Sequence, residues 1–358
     1  MREAKKKMRE KNNQKQKSGA KEMPIMNIPL REDMDKGLRK CIIGQDDFIK
    51  KITVAIYRAL MYGFKSNILI VGGSGSGKTE TIKILAEILN LPYTIESATE
   101  YTQSGYVGSD IEDIVDNLYA NAVRHKNVDI LAAGLGIVVM DEIDKKAEAE
   151  SMLRGDSVSG RAVQQRLLKF MEGMYIPVYN DYTPIFTLNT EGLIFIAMGA
   201  FEGLDEIRKK RQKANSMGFV DTSNVVIDDI DKDYTEADFI KYGMIKEFIG
   251  RFDCIATTKK LSESDLVKII TTSQISEFKV YENLLSLQGI KLEYSEKMIQ
   301  NLAKKAFSMN TGARAIKNVS NYIFQNIICE LMDNYTNEYT ICKLSDDIVR
   351  DNTKYILK

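Results

Sequence analysis

The sequence carries no excess of charge of either sign. Its 50 basic and 50 acidic residues cancel, so no global field marks it for nucleic acid or an anionic membrane surface. No apolar run approaches the roughly 18 residues that a membrane span needs. The first residues are charged, but no apolar stretch follows them, so a secretory signal is not expected. Cysteine is sparse. Cys41, Cys254, Cys329 and Cys342 are scattered and form no C-x-x-C pair. A disulfide framework or a zinc knuckle is therefore not expected, and free thiols in a reducing cytosol are the simplest reading. The single histidine, His125, reads as a solvated helix residue.

A chain of 358 residues holds about two domains and can bury a sizeable core. Residues 1–24 read as a basic, disordered tail: the first 22 carry nine Lys or Arg against three Glu, a net +6, with almost nothing to bury. From residue 25 to 257 short apolar runs (67–71, 93–95, 136–140, 193–198 and 254–256) alternate with helical stretches. That alternation predicts a parallel sheet flanked by helices, an α/β domain. One helix is expected over 46–62, with Phe48, Ile52, Ala55 and Ile56 on its buried face. Residues 258–358 change texture to amphipathic helices. Ser262 and Asp265 form a capping-box pattern ahead of Leu266, while Ile299, Leu302, Ala303 and Ala306 fall at helical spacing. A smaller, mostly helical C-terminal domain is expected.

The most informative stretch runs from Asn67 to Thr79. A β-branched apolar strand enters Gly72-Gly73-Ser74-Gly75-Ser76-Gly77-Lys78-Thr79 and a helical pattern follows. This is the G-x-x-x-x-G-K-[ST] phosphate cradle in its strand–loop–helix setting. Glycines let the backbone curl until successive N–H groups point at phosphate oxygens, and the helix N-terminus adds positive potential. Lys78 is expected to reach the β- and γ-phosphates, and the Thr79 hydroxyl to bind Mg²⁺. A second apolar strand ends in Asp141 and Glu142. It is expected beside the cradle strand, with Asp141 holding the Mg²⁺ shell and Glu142 polarising the attacking water.

With these two halves in place, the chain resembles the AAA+ ATPases, and within them the ClpX family of protein unfoldases, from about residue 37 to its end. Cys41-Ile42-Ile43-Gly44-Gln45 resembles the segment that wraps adenine, which implicates Ile42 and Ile43. Val163-Gln164-Gln165 and Leu167-Leu168-Lys169 resemble the helix after the Walker B strand. Gly105-Tyr106-Val107-Gly108 resembles the loop that lines the family's axial pore. A stiff ring between glycines suits a movable grip that needs no particular sequence. The resemblance thus makes Tyr106 and Val107 substrate-gripping residues. Glu247-Phe248-Ile249-Gly250-Arg251 resembles the arginine-finger segment, and Thr311-Gly312-Ala313-Arg314 the sensor-2 turn. Met217-Gly218-Phe219 resembles the tripeptide with which the family docks on the ClpP peptidase.

The resemblance implies a homo-hexamer in the cytoplasm that uses ATP and Mg²⁺ to thread protein substrates, into a ClpP-like peptidase. Nucleic acid and membrane are not expected as partners. There are departures. No cysteine precedes Cys41, so neither the family's zinc-binding domain nor zinc is expected. The pore-entrance Arg-Lys-His triplet has no counterpart between Tyr175 and Thr187. Arg154-Gly155-Asp156 is out of register with the second pore loop and takes no role. The strand 194–198 ends in Gly199-Ala200-Phe201, so no sensor-1 residue is assigned. The related HslU unfoldases share the Gly-Tyr-Val-Gly loop, but the gap from Gly108 to Gly136 is too short for their inserted domain. Two other functions stay open: a remodelling ATPase that works without a peptidase, and a nucleic-acid motor supported only by the basic tail.

Overall fold

The computed structural model describes residues 28–101, 110–147, 157–180, 183–216, 233–333 and 339–358. Two helices, α1 (Arg31–Arg39) and α2 (Asp46–Tyr62), lead into strand β1 (Asn67–Val71) and helix α3 (Lys78–Leu89). Then come β2 (Tyr93–Ser97), α4 (Asp113–Arg124), α5 (Val128–Ala132), β3 (Ile137–Asp141) and α6 (Ser157–Glu172). A hairpin, β4 (Tyr175–Asn180) and β5 (Thr183–Asn189), precedes β6 (Ile194–Gly199). Helices α7 (Leu204–Ser216), α8 (Glu236–Tyr242) and α9 (Lys246–Ile249) lead to β7 (Cys254–Thr257).

β1, β2, β3, β6 and β7 form one wholly parallel sheet in the order β2-β3-β6-β1-β7. Successive side chains of a strand point to opposite faces, and the cores divide accordingly. Leu69, Val138, Met140, Phe195 and Ala197 enter one apolar cluster, with α4 and α6. Ile68, Ile70, Val139, Ile196 and Met198 enter the other, with α2 and α3. Both faces are covered, which is why β1, β3 and β6 read as nearly unbroken apolar runs, while the edge strand β2 carries Thr94 and Glu96.

The order corrects one expectation. β3 does not lie beside the cradle strand, because β6 is inserted between them and pairs with both. The shift leaves the chemistry in reach. All the strands point the same way, and Gly199 at the tip of β6 accepts the Gly72 N–H at 3.1 Å, so the small tip of β6 bridges the cradle and the paired acids.

The C-terminal part has a separate core of Leu266, Ile270, Phe278, Leu302, Ile323 and Phe324, among others. It is built from α10 (Glu263–Thr272), α11 (Glu277–Leu287), α12 (Glu296–Ser308) and α13 (Arg314–Asp333). Three short strands, β8 (Lys291–Glu293), β9 (Ile341–Leu344) and β10 (Tyr355–Leu357), add a small sheet that the periodicity missed. Three or four residues are too few to establish a period of two. The β4–β5 hairpin escaped for a related reason: among its described residues only Ile176, Val178 and Leu188 are buried, and a bulge at Val178–Tyr179 breaks its alternation.

All four cysteines are free, and burial pushes the Cys342 thiol up to about 12. His125 is exposed at the end of α4. Among the described residues no helix is long and apolar enough to cross a membrane.

The capping box at Ser262 is formed. Its hydroxyl accepts the Asp265 N–H at 3.2 Å, and the Asp265 carboxylate accepts the Ser262 N–H at 2.9 Å. The Ser262 hydroxyl also donates to the Asp265 carboxylate at 2.6 Å, and that bond, followed by the one from the Ser262 N–H, holds the Asp265 carboxyl below its usual range. Ser262→Ala is expected to lower unfolding free energy by about 1 kcal/mol in urea titrations. A variant that matches the parent would mean that the cap adds nothing to α10.

Candidate active site

The cradle begins where β1 ends. The chain turns through residues 72–77 with Gly75 and Gly77 at φ +68° and +94°, a region L-residues rarely enter. Two glycines are also required by contact. A Cβ on Gly72 would lie 1.8 Å from Thr258 Oγ1, and one on Gly75 would lie 2.0 Å from the Thr311 carbonyl oxygen. Gly73 faces open space.

The loop is held from two sides. On one, the Thr258 hydroxyl donates to Ser76 Oγ at 2.7 Å, and Ser76 Oγ donates to the Gly73 carbonyl at 2.8 Å. On the other, the Ala313 N–H donates to the Gly75 carbonyl at 2.9 Å, and Arg314 Nη1 donates to Ser74 Oγ at 3.0 Å. Both of the latter donors come from the C-terminal part.

Lys78 opens α3 and its ammonium donates to the carbonyls of Gly72 and Gly73. Burial pulls its pKa down, the neighbouring Asp141 carboxylate opposes that, and Arg314 adds to it. Asp141 closes β3, and its Oδ1 accepts the Glu142 N–H at 2.8 Å. Glu142 sits at φ +57°. Left-handed backbone at a non-glycine residue costs about 1–2 kcal/mol and clusters at functional sites. The turn exposes the Glu142 carboxylate, whose Oε2 accepts from Ser97 Oγ at 3.4 Å. Behind it the buried Asp144 accepts the Phe201 N–H at 3.1 Å. A Cβ at Gly199 would lie 2.5 Å from Asp144 Oδ1, which explains the glycine at that strand tip.

These groups line one cleft of about 670 Å³ between the sheet and the C-terminal helices. Ile42, Ile43, Ser74, Gly75, Ser76, Gly77, Lys78, Thr79, Asp141, Glu142 and Arg314 all face it, and Ile269, Ile275 and Ile316 complete an apolar wall. An ammonium, a helix N-terminus, a hydroxyl and a carboxylate converge at its polar end, with apolar surface at the other. That donor set fits a magnesium nucleotide, phosphates at the loop and base among the isoleucines.

The structure does not bring Arg251 to this cleft. Its backbone carbonyl accepts from Asn67 Nδ2 at 2.9 Å, at the opposite end of β1 from the loop. Four strand steps, about 13 Å, separate the two ends. Its guanidinium pairs with Glu172 on the surface. Tyr106, Val107, Met217, Gly218 and Phe219 lie outside the described residues, as does the basic tail.

The family model described as "AAA domain (Cdc48 subfamily)" matches residues 64–255, and that described as the C-terminal, D2-small domain of ClpB protein matches residues 261–338. The ATP-dependent Clp protease ATP-binding subunit ClpX of Borrelia duttonii is 34% identical over 327 residues, which cover 85% of this chain and 75% of the relative. The protein of the same name from Borrelia recurrentis gives the same figures. ClpX 2 of Wolinella succinogenes is 33% identical over 366 residues, covering 98% and 88%.

The chain belongs to the ClpX family of AAA+ ATPases. It is an ATP-hydrolysing enzyme, and the parallel sheet with its helical C-terminal part is the corresponding AAA+ fold. Sequence reasoning gave no role to three residues at this ClpX-family cleft. Gln45, 1% exposed, donates to the Lys259 carbonyl and accepts its N–H, both at 2.8 Å, which staples the Ile42–Ile43 segment to the connection between the two parts. Thr258 supports the loop from behind, and Ser97 touches Glu142. Gln45 closes the 41–45 segment without a role readable from it, and lone Thr and Ser carry no pattern, so only the fold reveals what these residues contact.

Gly75→Ala should drive the loop and the 311–314 turn apart. The expected outcome is nucleotide affinity reduced by about tenfold, roughly 1.4 kcal/mol, in calorimetric titration with a non-hydrolysable ATP analogue. Undiminished affinity would show that the close approach has no part in binding.

Proposed function

We propose that this chain is a protein unfoldase that assembles as a homo-hexamer, hydrolyses ATP at the seams between subunits and threads protein substrates through its centre. The residues bordering the cleft have distinct tasks. Backbone N–H groups of residues 72–77 and the Lys78 ammonium hold the phosphates, while Ile42 and Ile43 hold the base. Thr79 and Asp141 hold Mg²⁺, directly or through water, and the ion neutralises phosphate charge. Glu142 takes a proton from the attacking water as its oxygen bonds to the γ-phosphorus and the bond to the β-phosphate oxygen breaks. Arg314 senses the same phosphates from the C-terminal part.

One observation carries the proposal: Arg314 and Ala313 grip the tip of the phosphate loop from the other side of the cleft. Any change in the bound phosphates must then bear on the angle between the two parts. Such an angle, repeated around a ring, becomes movement of Tyr106 and Val107 against a polypeptide. The place of Arg251 at the far end of β1 supports action on a neighbouring subunit's nucleotide, where a guanidinium stabilises charge developing on the γ-phosphate. Met217, Gly218 and Phe219 are proposed to dock a ClpP-like peptidase, a partner in keeping with relatives named as ATP-binding subunits of a Clp protease. A cytoplasmic setting is part of the same proposal.

Two tests follow. Tyr106→Ala is expected to abolish unfolding of a tailed fluorescent protein while ATP hydrolysis persists. Retention of wild-type unfolding rates would overturn the pore assignment. Glu142→Gln and Arg251→Ala should each lower hydrolysis by at least about 100-fold. Mixing the two variants should restore activity, because about one seam in four then pairs an intact Glu142 with an intact Arg251. Absence of rescue would mean that Arg251 acts within its own chain or not at all.

A further inference from the structure

Strand β2 carries an acid where its neighbours carry apolar residues. Glu96 pairs in register with Met140 of β3 and is only 7% exposed. A buried carboxylate is costly unless its lone pairs are engaged. Here Thr94 Oγ1 and Asn117 Nδ2 donate to Oε1, and the Tyr101 hydroxyl donates to Oε2 at 2.9 Å. Tyr101 is 1% exposed, its ring packed in the core beneath the sheet. Burial, followed by the charge of Glu96, holds its phenol protonated far beyond the usual range.

Tyr101 is fixed at a second point. Its carbonyl accepts from Lys146 Nζ at 2.9 Å. Lys146 ends the short turn Ile143–Lys146 that directly follows Glu142. The Lys146 carbonyl in turn accepts from Gln164 Nε2 at 2.7 Å, and Gln164 Oε1 accepts the Ile245 N–H at 2.9 Å. Gln164 is fully buried. Gly160 leaves no slack there, since a Cβ on it would lie 2.7 Å from the Lys146 carbonyl oxygen. Ile245 immediately precedes α9, the helix that leads into Arg251.

We propose that this chain of contacts, Ile245–Gln164–Lys146–Tyr101–Glu96, is the coupling element that ties the Arg251 segment and the turn after Glu142 to the residue from which the Tyr106 segment departs. Lys146 and Tyr101 are its positioning residues. Neither touches nucleotide or substrate. Lys146 transmits a displacement of the Glu142 turn to the Tyr101 backbone, and the Glu96 carboxylate gives that backbone a fixed point to move against. Tyr101 precedes Tyr106 by five residues in the chain, so the anchor fixes the backbone from which that segment continues. The assignment rests on Tyr106 being the residue that grips substrate.

The test uses full-length protein and a folded fluorescent protein with an unstructured tail, and reads ATP consumed per molecule unfolded. Tyr101→Phe deletes only the hydroxyl, and Lys146→Met only the charged donor. Each is expected to leave basal hydrolysis within about twofold of the parent and to raise ATP consumed per unfolding event by about threefold or more. Lys146→Arg, which keeps a cation at the carbonyl, should restore most of the coupling. Melting temperatures measured in parallel identify a structural effect, which would lower stability and hydrolysis together and would not be relieved by arginine. That pattern overturns the proposal, as does unchanged coupling in both variants while Tyr106→Ala loses unfolding. A parent that leaves the probe folded, or a Tyr106→Ala variant that unfolds it normally, overturns instead the gripping role on which the proposal rests.

Discussion

The contact between the phosphate loop and the 311–314 turn is the constraint on which the rest of the site depends. Two glycines meet there with no room for a side chain on either: a Cβ on Gly75 would strike Thr311, and one on Gly312 would strike Gly75. The Ala313 N–H then closes on the Gly75 carbonyl. A hydrogen bond of this kind contributes about 1 kcal/mol by itself. Its larger effect is geometric, because it brings the glycine-rich loop and the residues that open α13 within one bond of each other. The cleft exists because these two surfaces meet at its floor.

The remaining supports of the cleft act at its edges. Gln45 engages both backbone groups of Lys259, and Ser273 Oγ donates to the Cys41 carbonyl at 2.6 Å. The segment holding Ile42 and Ile43 is thus bonded to the connection and to the end of α10 at once. A base lying among those isoleucines would touch surfaces that belong to both parts. With a nucleotide bound there as proposed, its binding and the angle between the parts would share the same groups.

Much of this was legible in the chain because the signals were local. The five apolar runs became the five parallel strands within a residue or two, since a strand buried on both faces has no polar interruptions to hide it. Gly75 and Gly77 have the left-handed backbone that the cradle pattern implies, and Lys78, Thr79, Asp141 and Glu142 meet in one cleft with Arg314. What was not legible is non-local. Nothing in the run 137–141 discloses that β6 separates it from β1, because strand order is decided by crossovers. Gln45 meets a residue more than two hundred positions away, and a lone glutamine has no periodicity. Nothing local marks Glu96 as buried, yet it lies under donors from β2, α4 and Tyr101.

The strand order has a consequence for how the protein comes into being. β1 lies between β6 and β7, which begin at residues 194 and 254. A nascent chain emerging at roughly 5–20 residues per second therefore holds its nucleotide strand without either neighbour for about six seconds at the least. Throughout that interval both edges of β1 lack their partner strands, although α2 and α3, which cover Ile68 and Ile70, are made just before and just after β1 itself. The strand that feeds the phosphate loop therefore stays open to capture by another chain until β6 and β7 have been made.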